Sequence, residues 1–416
     1  MGPSNHNLFQ NKPKNFIISN TNQLQVTYYD NISEKESFDI LKLWNMKQTF
    51  SKPSELLEKN DSFFKLFEHL YHKTEQLYDK MPKRKNGDSS FLHPLNAIWA
   101  LKDAKIKNSK ILCCALIHDL VEEMVDIHKK EANQTNIKIL DEFENQTFKD
   151  LNQELSQFCK NHNIGQEHVD EIIETTRLLT RHKRDFYLKS MSYIFTYPNQ
   201  KIKEMAIIVK LADRTHNILT LDSFDNQRKI YACFKNLFIL NNVKDYIIKK
   251  HGNHMATSTT DFFPIELLFK RCAKATYQAF LEICNHTSIS STYNIKTMLQ
   301  LAFKKFAIEQ EGASKVTKLD SNEMHLMRLY QNVVRKYEAR LHHEWDQFEQ
   351  FINDEITFTN KFFYTQDFTN QELKSIISYK DAYSLKEIIA NLLYIPDYVI
   401  ERFLCFDLTK TGRLRK

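Results

Sequence analysis

The chain has 416 residues, 42% of them hydrophobic and 12% aromatic, with a net charge of +6. That is enough apolar material for a substantial core, and the charge is too small and too dispersed to single out nucleic acid as a partner. Only six glycines are present, and neither a GxGxxG nor a GxxxxGK[ST] pattern occurs, which excludes the dinucleotide and P-loop modes of phosphate binding. The seven cysteines are scattered without a CxxC pair, as expected of free thiols in a reducing compartment. No apolar run reaches the roughly 18 residues that span a bilayer, and the start lacks a secretory core. These features predict an all-α, cytoplasmic protein.

Residues 1–35 are polar and Asn-rich with a trace of β-character at "LQVTYYD", and are expected to form an N-terminal extension. Helical periodicity starts near residue 36. "SELLEKNDSFFKLFEHLYHKTEQLYDKM" repeats Leu, Phe and Tyr at three- and four-residue spacing. "PKRKNGDSS" is a loop, and His93-Pro94 opens the next helix. "NSKILCCALIHDLVEEMVD" is expected to form one central helix, apolar on nearly all sides in its first half. Amphipathic segments separated near Gly165 follow, then the buried helix "KEMAIIVKLADRTHNILTLDSF" and another over 230–250. "KKHGNHMATSTTDFFP" divides a first body, 36–250, from a C-terminal helical region, 262–416. Helices are expected there at 265–285, 293–311, 322–356 and 370–404. "EMHLMRLYQNVVRKYEARL" is a bundle core by spacing, or a surface for a protein partner or self-association.

The chemistry concentrates in two buried helices. On a straight helix His118 stacks over Glu122 and Asp119 over Glu123, because residues four apart share a face. In "KLADRTHNILT" the same spacing sets Asp213 over Asn217, with Thr220 a turn further. His93 stands 25 residues before His118 at a helix start. A single His-Asp pair in a buried helix is more often a hydrogen-bonded core element. Two buried helices that both carry ionic groups with polar partners at helical spacing instead point to a metal site. Mixed imidazole and carboxylate ligation suits manganese or iron better than magnesium.

"RKNGDSSFLHPL", "ALIHDLVEEM" and "VKLADRTHNILTL" resemble three consecutive signatures of the HD-domain hydrolases of the RelA/SpoT type, which include small alarmone hydrolases. The resemblance spans about residues 60–240. It implies an HD-type helical bundle and manganese-dependent removal of the 3′-pyrophosphate from (p)ppGpp. It further implies metal ligation by His93, His118, Asp119 and Asp213, and water activation by Glu122 and Glu123. Nucleotide contacts are implied for Arg84, Lys85, Asn217 and Thr220, and phosphate contacts for Arg181 and Arg184. Three positions depart from the pattern: Glu123 replaces an Asp, Ser89-Ser90 replaces a Pro-Tyr pair, and Leu219 stands where the family carries an Arg. The competing expectations are an HD phosphohydrolase with another nucleotide or phosphate ester as substrate, and a catalytically degenerate nucleotide-binding regulator.

Overall fold

The computed structural model describes residues 17–18, 24–25, 46–185, 187–252, 262–286, 348–362, 368–394 and 397–399. Most of the N-terminal extension, the helix expected at 293–311, residues 322–347 of the helix expected at 322–356, and the basic tail lie outside these residues. The architecture is all-α. The sole strand pairing among the described residues is a two-residue antiparallel ladder, Ile17–Ile18 with Leu24–Gln25.

A four-residue helix, α1 (Pro53–Leu56), leads into α2 (Phe64–Tyr78), which buries Leu66, Phe67, Leu70 and Tyr71 along one face. Next come α3 (Leu92–Asp103), α4 (Ser109–Ile117) and α5 (Leu120–Glu131). Then follow α6 (Ile137–Asn161), α7 (Gln166–Leu179) and α8 (Tyr187–Thr196). The hub is α9 (Gln200–Leu219), packed against α3, α4, α7, α8 and the following α10 (Asn226–His251). Asparagines start several of these helices. Asn108, Asn136 and Asn199 each accept a backbone N–H of the first turn, satisfying donors that have no partner within the helix. Gly252, at φ +65°, closes α10 in a left-handed conformation that a side chain would strain.

Beyond the Gly/Ser/Thr segment, α11 (Pro264–His286) packs directly on α9 and α10, and α13 (Asn370–Tyr394) covers α10 and α11. Between them in sequence lies α12 (Phe348–Phe362), which packs on α13. The sequence break at 253–261 therefore does not divide the core. Ile265, Phe269, Leu385 and Ile389 belong to the same buried cluster as Leu112 and Leu211. A polar link crosses it: Arg214 Nε donates to Asn236 Oδ1 at 2.5 Å, and Asn236 Nδ2 donates to Thr276 Oγ1 at 3.1 Å. No helix among the described residues is long and apolar enough to cross a membrane. Cys113, Cys114, Cys159, Cys233 and Cys272 are buried free thiols.

Candidate metal centre

The expected single helix over 108–126 is broken. It is α4 and α5 joined by a bend at His118 and Asp119, with Asp119 at φ −102°, ψ −2°. The bend corrects the straight-helix geometry. Adjacent residues on a helix point about 100° apart and cannot address one point. With the backbone turned, His118 Nε2 and Asp119 Oδ2 lie 3.2 Å apart. His93, in the first turn of α3, brings its Nε2 to 3.1 Å from His118 Nε2 and 3.3 Å from Asp119 Oδ2. Asp213, in the middle of α9, sets Oδ1 at 3.3 Å from His93 Nε2 and 3.8 Å from His118 Nε2.

The four residues thus offer two imidazole nitrogens and two carboxylate oxygens, all within 4.8 Å of one another. Neighbouring ligands held at about 2.1 Å from a cation in octahedral geometry stand about 3 Å apart, so this donor set fits a divalent ion. The side chains of His93, His118 and Asp213 are no more than 3% exposed, whereas that of Asp119 is 22% exposed. Solvent reaches the cluster from the Asp119 side.

The surrounding residues fix which atoms face inward. His118 Nδ1 lies 2.7 Å from the Ala115 carbonyl, which can only accept, so Nδ1 donates and Nε2 is the atom presented to the centre. His93 Nδ1 lies 2.8 Å from His216 Nδ1. One proton is shared between these nitrogens, and with it on His93 the Nε2 lone pair points at the carboxylates. His216 suits the accepting role because burial, then the charges of His93 and Arg84, push its pKa well down and keep it neutral. Asp213 is held on both sides. Lys210 Nζ sits 2.8 Å from Oδ2, and Asn217 Nδ2 donates to Oδ1. Arg84 Nη2 in turn donates to Asn217 Oδ1 at 3.0 Å.

Charge follows from this packing. Burial by itself would lower the His118 pKa, but Asp119 and Asp213 outweigh it and lift it to about 10. Burial likewise opposes ionisation of Asp213, yet Lys210, His118 and His93 hold its carboxyl well below the usual range. Asp119 is held down in the same way by His118 and His93. Glu123 goes the other way: burial, then Asp119, Glu122 and Asp126, raise it to about 8. A divalent cation bound to these donors must displace the extra His118 proton.

The remaining residues expected from the sequence separate. Arg84 and Asn217 are in the network around Asp213. Glu122 is anchored by Arg181, whose Nη2 lies 2.8 Å from Oε1 and whose backbone N–H donates to Oε2 at 3.2 Å. Lys85 rests its ammonium 4.6 Å from the Phe224 ring centroid. Thr220 donates its hydroxyl to the His216 carbonyl one turn back, at 3.1 Å. Arg184 turns outward, pairing with Asp141 of α6 and 45% exposed. Ser90, in the position of the missing Pro-Tyr pair, donates to the Pro82 carbonyl at 2.8 Å and pins the loop that carries Arg84.

Sequence reasoning did not assign His216, Lys210 or Asp126. Lys210 and His216 stand three residues either side of Asp213, on its own helical face, and both are buried polar side chains. That spacing was the available signal. Lys183 and Asp126 form an ion pair at 2.8 Å beside Glu122, a contact set only by the packing of the α7–α8 connection on α5. Tyr78 of α2 also approaches the centre, its pKa raised by burial and then by Asp119 and Glu123.

No protein-family model, curated protein or solved structure matches the chain.

Proposed function

We propose that the protein is a metal-dependent nucleotide phosphohydrolase of the HD type, acting on the 3′-pyrophosphate of (p)ppGpp or a closely related alarmone. One observation carries the reading: His93, His118, Asp119 and Asp213 converge from three chain segments on a partly open point, with both imidazoles oriented from behind by a carbonyl and a third histidine. Hydrogen bonds that hold both imidazoles from behind while their other nitrogens meet two carboxylates at one point are a habit of metal sites. The mixed nitrogen and oxygen donors favour Mn2+. When bound, the cation supplies positive charge that acidifies water and offsets charge on a phosphoryl group.

The protein's own groups account for the rest. Lys210 and the Arg84–Asn217 pair hold Asp213 in one rotamer, so a ligand position does not have to be organised during turnover. Arg84 stands at the rim of the centre on a pinned loop, with a planar cation that suits a base or a phosphate. Arg181 fixes Glu122. Glu123, its pKa raised to about 8, accepts a proton from the attacking water in its ionised form and can return one to the departing side. In the reaction, water oxygen adds to the phosphorus attached to the 3′ oxygen, the bond between that phosphorus and the 3′ oxygen breaks, and the 3′ oxygen takes a proton and stays on the ribose as a hydroxyl, giving pyrophosphate with GDP or GTP.

Glu123 also favours a second reading, a different nucleotide or phosphate ester. Its extra methylene relative to Asp moves the carboxylate, and a shift of about 1 Å at a reacting group changes rates by about 100-fold. Incubation of the purified protein with Mn2+ and a panel of nucleotides, read by product chromatography, separates the two. Release of pyrophosphate from (p)ppGpp that disappears in Asp213→Ala supports the alarmone reading. Full manganese-dependent activity in Asp213→Ala would overturn the centre. The buried reduced thiols agree with a cytoplasmic location. The segment expected to bind a protein partner or a second copy, 323–341, lies outside the described residues.

A further inference from the structure

A cavity of about 410 Å3 opens along α5, from Glu123 to the α5–α6 connection at residues 133–135. Pockets that hold small molecules start at roughly 300 Å3, so this one has room for part of a nucleotide. It adjoins the candidate metal centre. Glu123 follows Asp119 by one helical turn, its N–H donating to the Asp119 carbonyl at 2.9 Å, and Asp119 is the ligand on the solvent-open side. The far end carries Lys129 and Lys130. They stand three and four residues past Asp126, so both flank its face. Side chains on a helix lean towards its N-terminus, here towards Glu123. Asp126 is already engaged by Lys183 at 2.8 Å, and neither Lys129 nor Lys130 is ion-paired among the described residues. The backbone beneath them is fixed. Gln134 N–H donates to the Lys129 carbonyl at 2.9 Å and Asn133 N–H to the Lys130 carbonyl at 3.2 Å, with Asn133 left-handed at φ +46°. That pair of bonds is a Schellman helix end. Gln134 Oε1 also accepts the Asn136 N–H at 2.8 Å, which pins the connection. Lysines in a last turn offset the helix dipole as well, but that role asks for no cavity in front of them.

We propose that this cavity seats a phosphate group of the substrate remote from the reacting one, held by the Lys129 and Lys130 ammonium groups, and so selects nucleotides phosphorylated at two separate positions. Along α5 the order is metal ligand, Glu123, Asp126, then the two lysines. From Asp119 to Lys130 the helix axis rises about 16 Å, and the backward lean of the lysine side chains shortens the span between the charged ends. One nucleotide with an anionic group at each end fits that arrangement. Two neighbouring ammonium groups repel each other, and a phosphate with several acceptor oxygens answers both. Asp126 does not oppose it, because Lys183 neutralises its charge. The identity of the ligand rests on the phosphohydrolase reading; the place of the subsite rests on the cavity and its unpaired lysines alone.

The test is the double variant Lys129→Ala/Lys130→Ala in the full chain. Alanine keeps the helix, and the capping bonds use backbone carbonyls, so the variant should melt with wild type. Binding of ppGpp is titrated by calorimetry with chelator present, which leaves no metal and no turnover. The variant should bind about tenfold more weakly, as expected for two partly exposed contacts to a charged group. Wild-type affinity should also fall more steeply with added salt than that of the variant. Guanosine 3′-diphosphate, which lacks the remote phosphates, should bind both proteins alike, and Lys129→Arg/Lys130→Arg should restore tight ppGpp binding. With Mn2+ the alanine variant should raise KM for ppGpp about tenfold and hold kcat within about twofold, the mark of a binding contact. Absence of ppGpp binding to wild type, equal ppGpp affinity in wild type and alanine variant, or an equal loss with guanosine 3′-diphosphate would each overturn the subsite. Hydrolysis of ppGpp with KM unaltered in the alanine variant removes the subsite and leaves the enzymatic reading standing. Selective loss of ppGpp binding in a protein that hydrolyses no nucleotide removes the enzymatic reading and keeps the subsite.

Discussion

Asp213→Asn tests how the centre keeps its buried charge in place. The amide has the size of the carboxylate and can still accept from Asn217, so packing around α9 is retained. What is lost is the counter-charge of Lys210, whose side chain is 7% exposed and lies 2.8 Å from Asp213 Oδ2. Removing one member of a buried ion pair costs about 3–5 kcal/mol. A ceiling follows from chemistry: the stranded lysine can shed its proton, which at pH 7 costs about 4.6 kcal/mol from an ordinary pKa of about 10.4. That ceiling drops by about 1.4 kcal/mol for each pH unit above 7. The wild type moves the other way. His118 has a folded-state pKa raised to about 10, so its contribution is fully present below about 6.5 and is lost as pH rises through 10. Both effects narrow the gap between wild type and variant at alkaline pH. Urea denaturation with chelator present should therefore give a destabilisation of about 3–5 kcal/mol at pH 7, smaller by about 2 kcal/mol or more at pH 8.5. A loss below about 1 kcal/mol at pH 7, or a gap that does not change with pH, would refute the account of Lys210 and Asp213 as a mutually dependent buried pair.

Three further outcomes are expected. His216→Phe removes the acceptor that fixes the His93 tautomer, and Mn2+ affinity measured by calorimetric titration should fall about 10- to 100-fold; an unaltered affinity would mean that His93 is oriented by something else. Cation binding at pH 7 should release close to one proton per ion, because His118 is protonated up to about 10 in the metal-free protein, and affinity should rise with pH towards that value. Titrations in buffers of different ionisation enthalpy count the proton, and a count of zero contradicts the assignment of His118 Nε2 as a ligand atom. The rate of nucleotide hydrolysis should climb with a midpoint at or below about 8 as Glu123 loses its proton. In Glu123→Gln that rise should disappear with the activity; a variant that keeps the wild-type rate and pH profile excludes Glu123 from proton transfer.

Helix-forming segments and the four-donor set were legible in the chain because both obey local rules. Asn108, Asn136 and Asn199 announce helix starts through one short side chain, and the apolar spacing of "ALKDAKI" or "AIIVKLA" shows which faces turn inward. His93, His118, Asp119 and Asp213 stood out as ionic residues in apolar surroundings, where a charge needs a partner. The bend at His118–Asp119 could not be seen this way. "LCCALIHDLVEEM" has no proline or glycine, and its local preferences favour a continuous helix. The ability of Arg181 and Lys183 to reach Glu122 and Asp126 depends on how the α7–α8 connection meets α5, more than fifty residues away in sequence, and pattern carries no information about that.

The bend and the buried ion pairs have one physical explanation. A continuous helix through residues 109–131 would keep every backbone hydrogen bond and aim His118 and Asp119 in different directions. The observed chain gives up that regularity, and it also buries Asp213 and Lys210 together in a heavily buried helix. Replacing a buried ion pair by apolar side chains is commonly neutral or stabilising, so Lys210–Asp213 is poorly explained as a stabilising device. Both features are accounted for if the fold must hold two nitrogens and two carboxylate oxygens around a single point with one side open. His216, Lys210 and Asn217 then act as the backing that keeps two of the four donors, His93 and Asp213, from relaxing towards each other or towards solvent when the cation leaves.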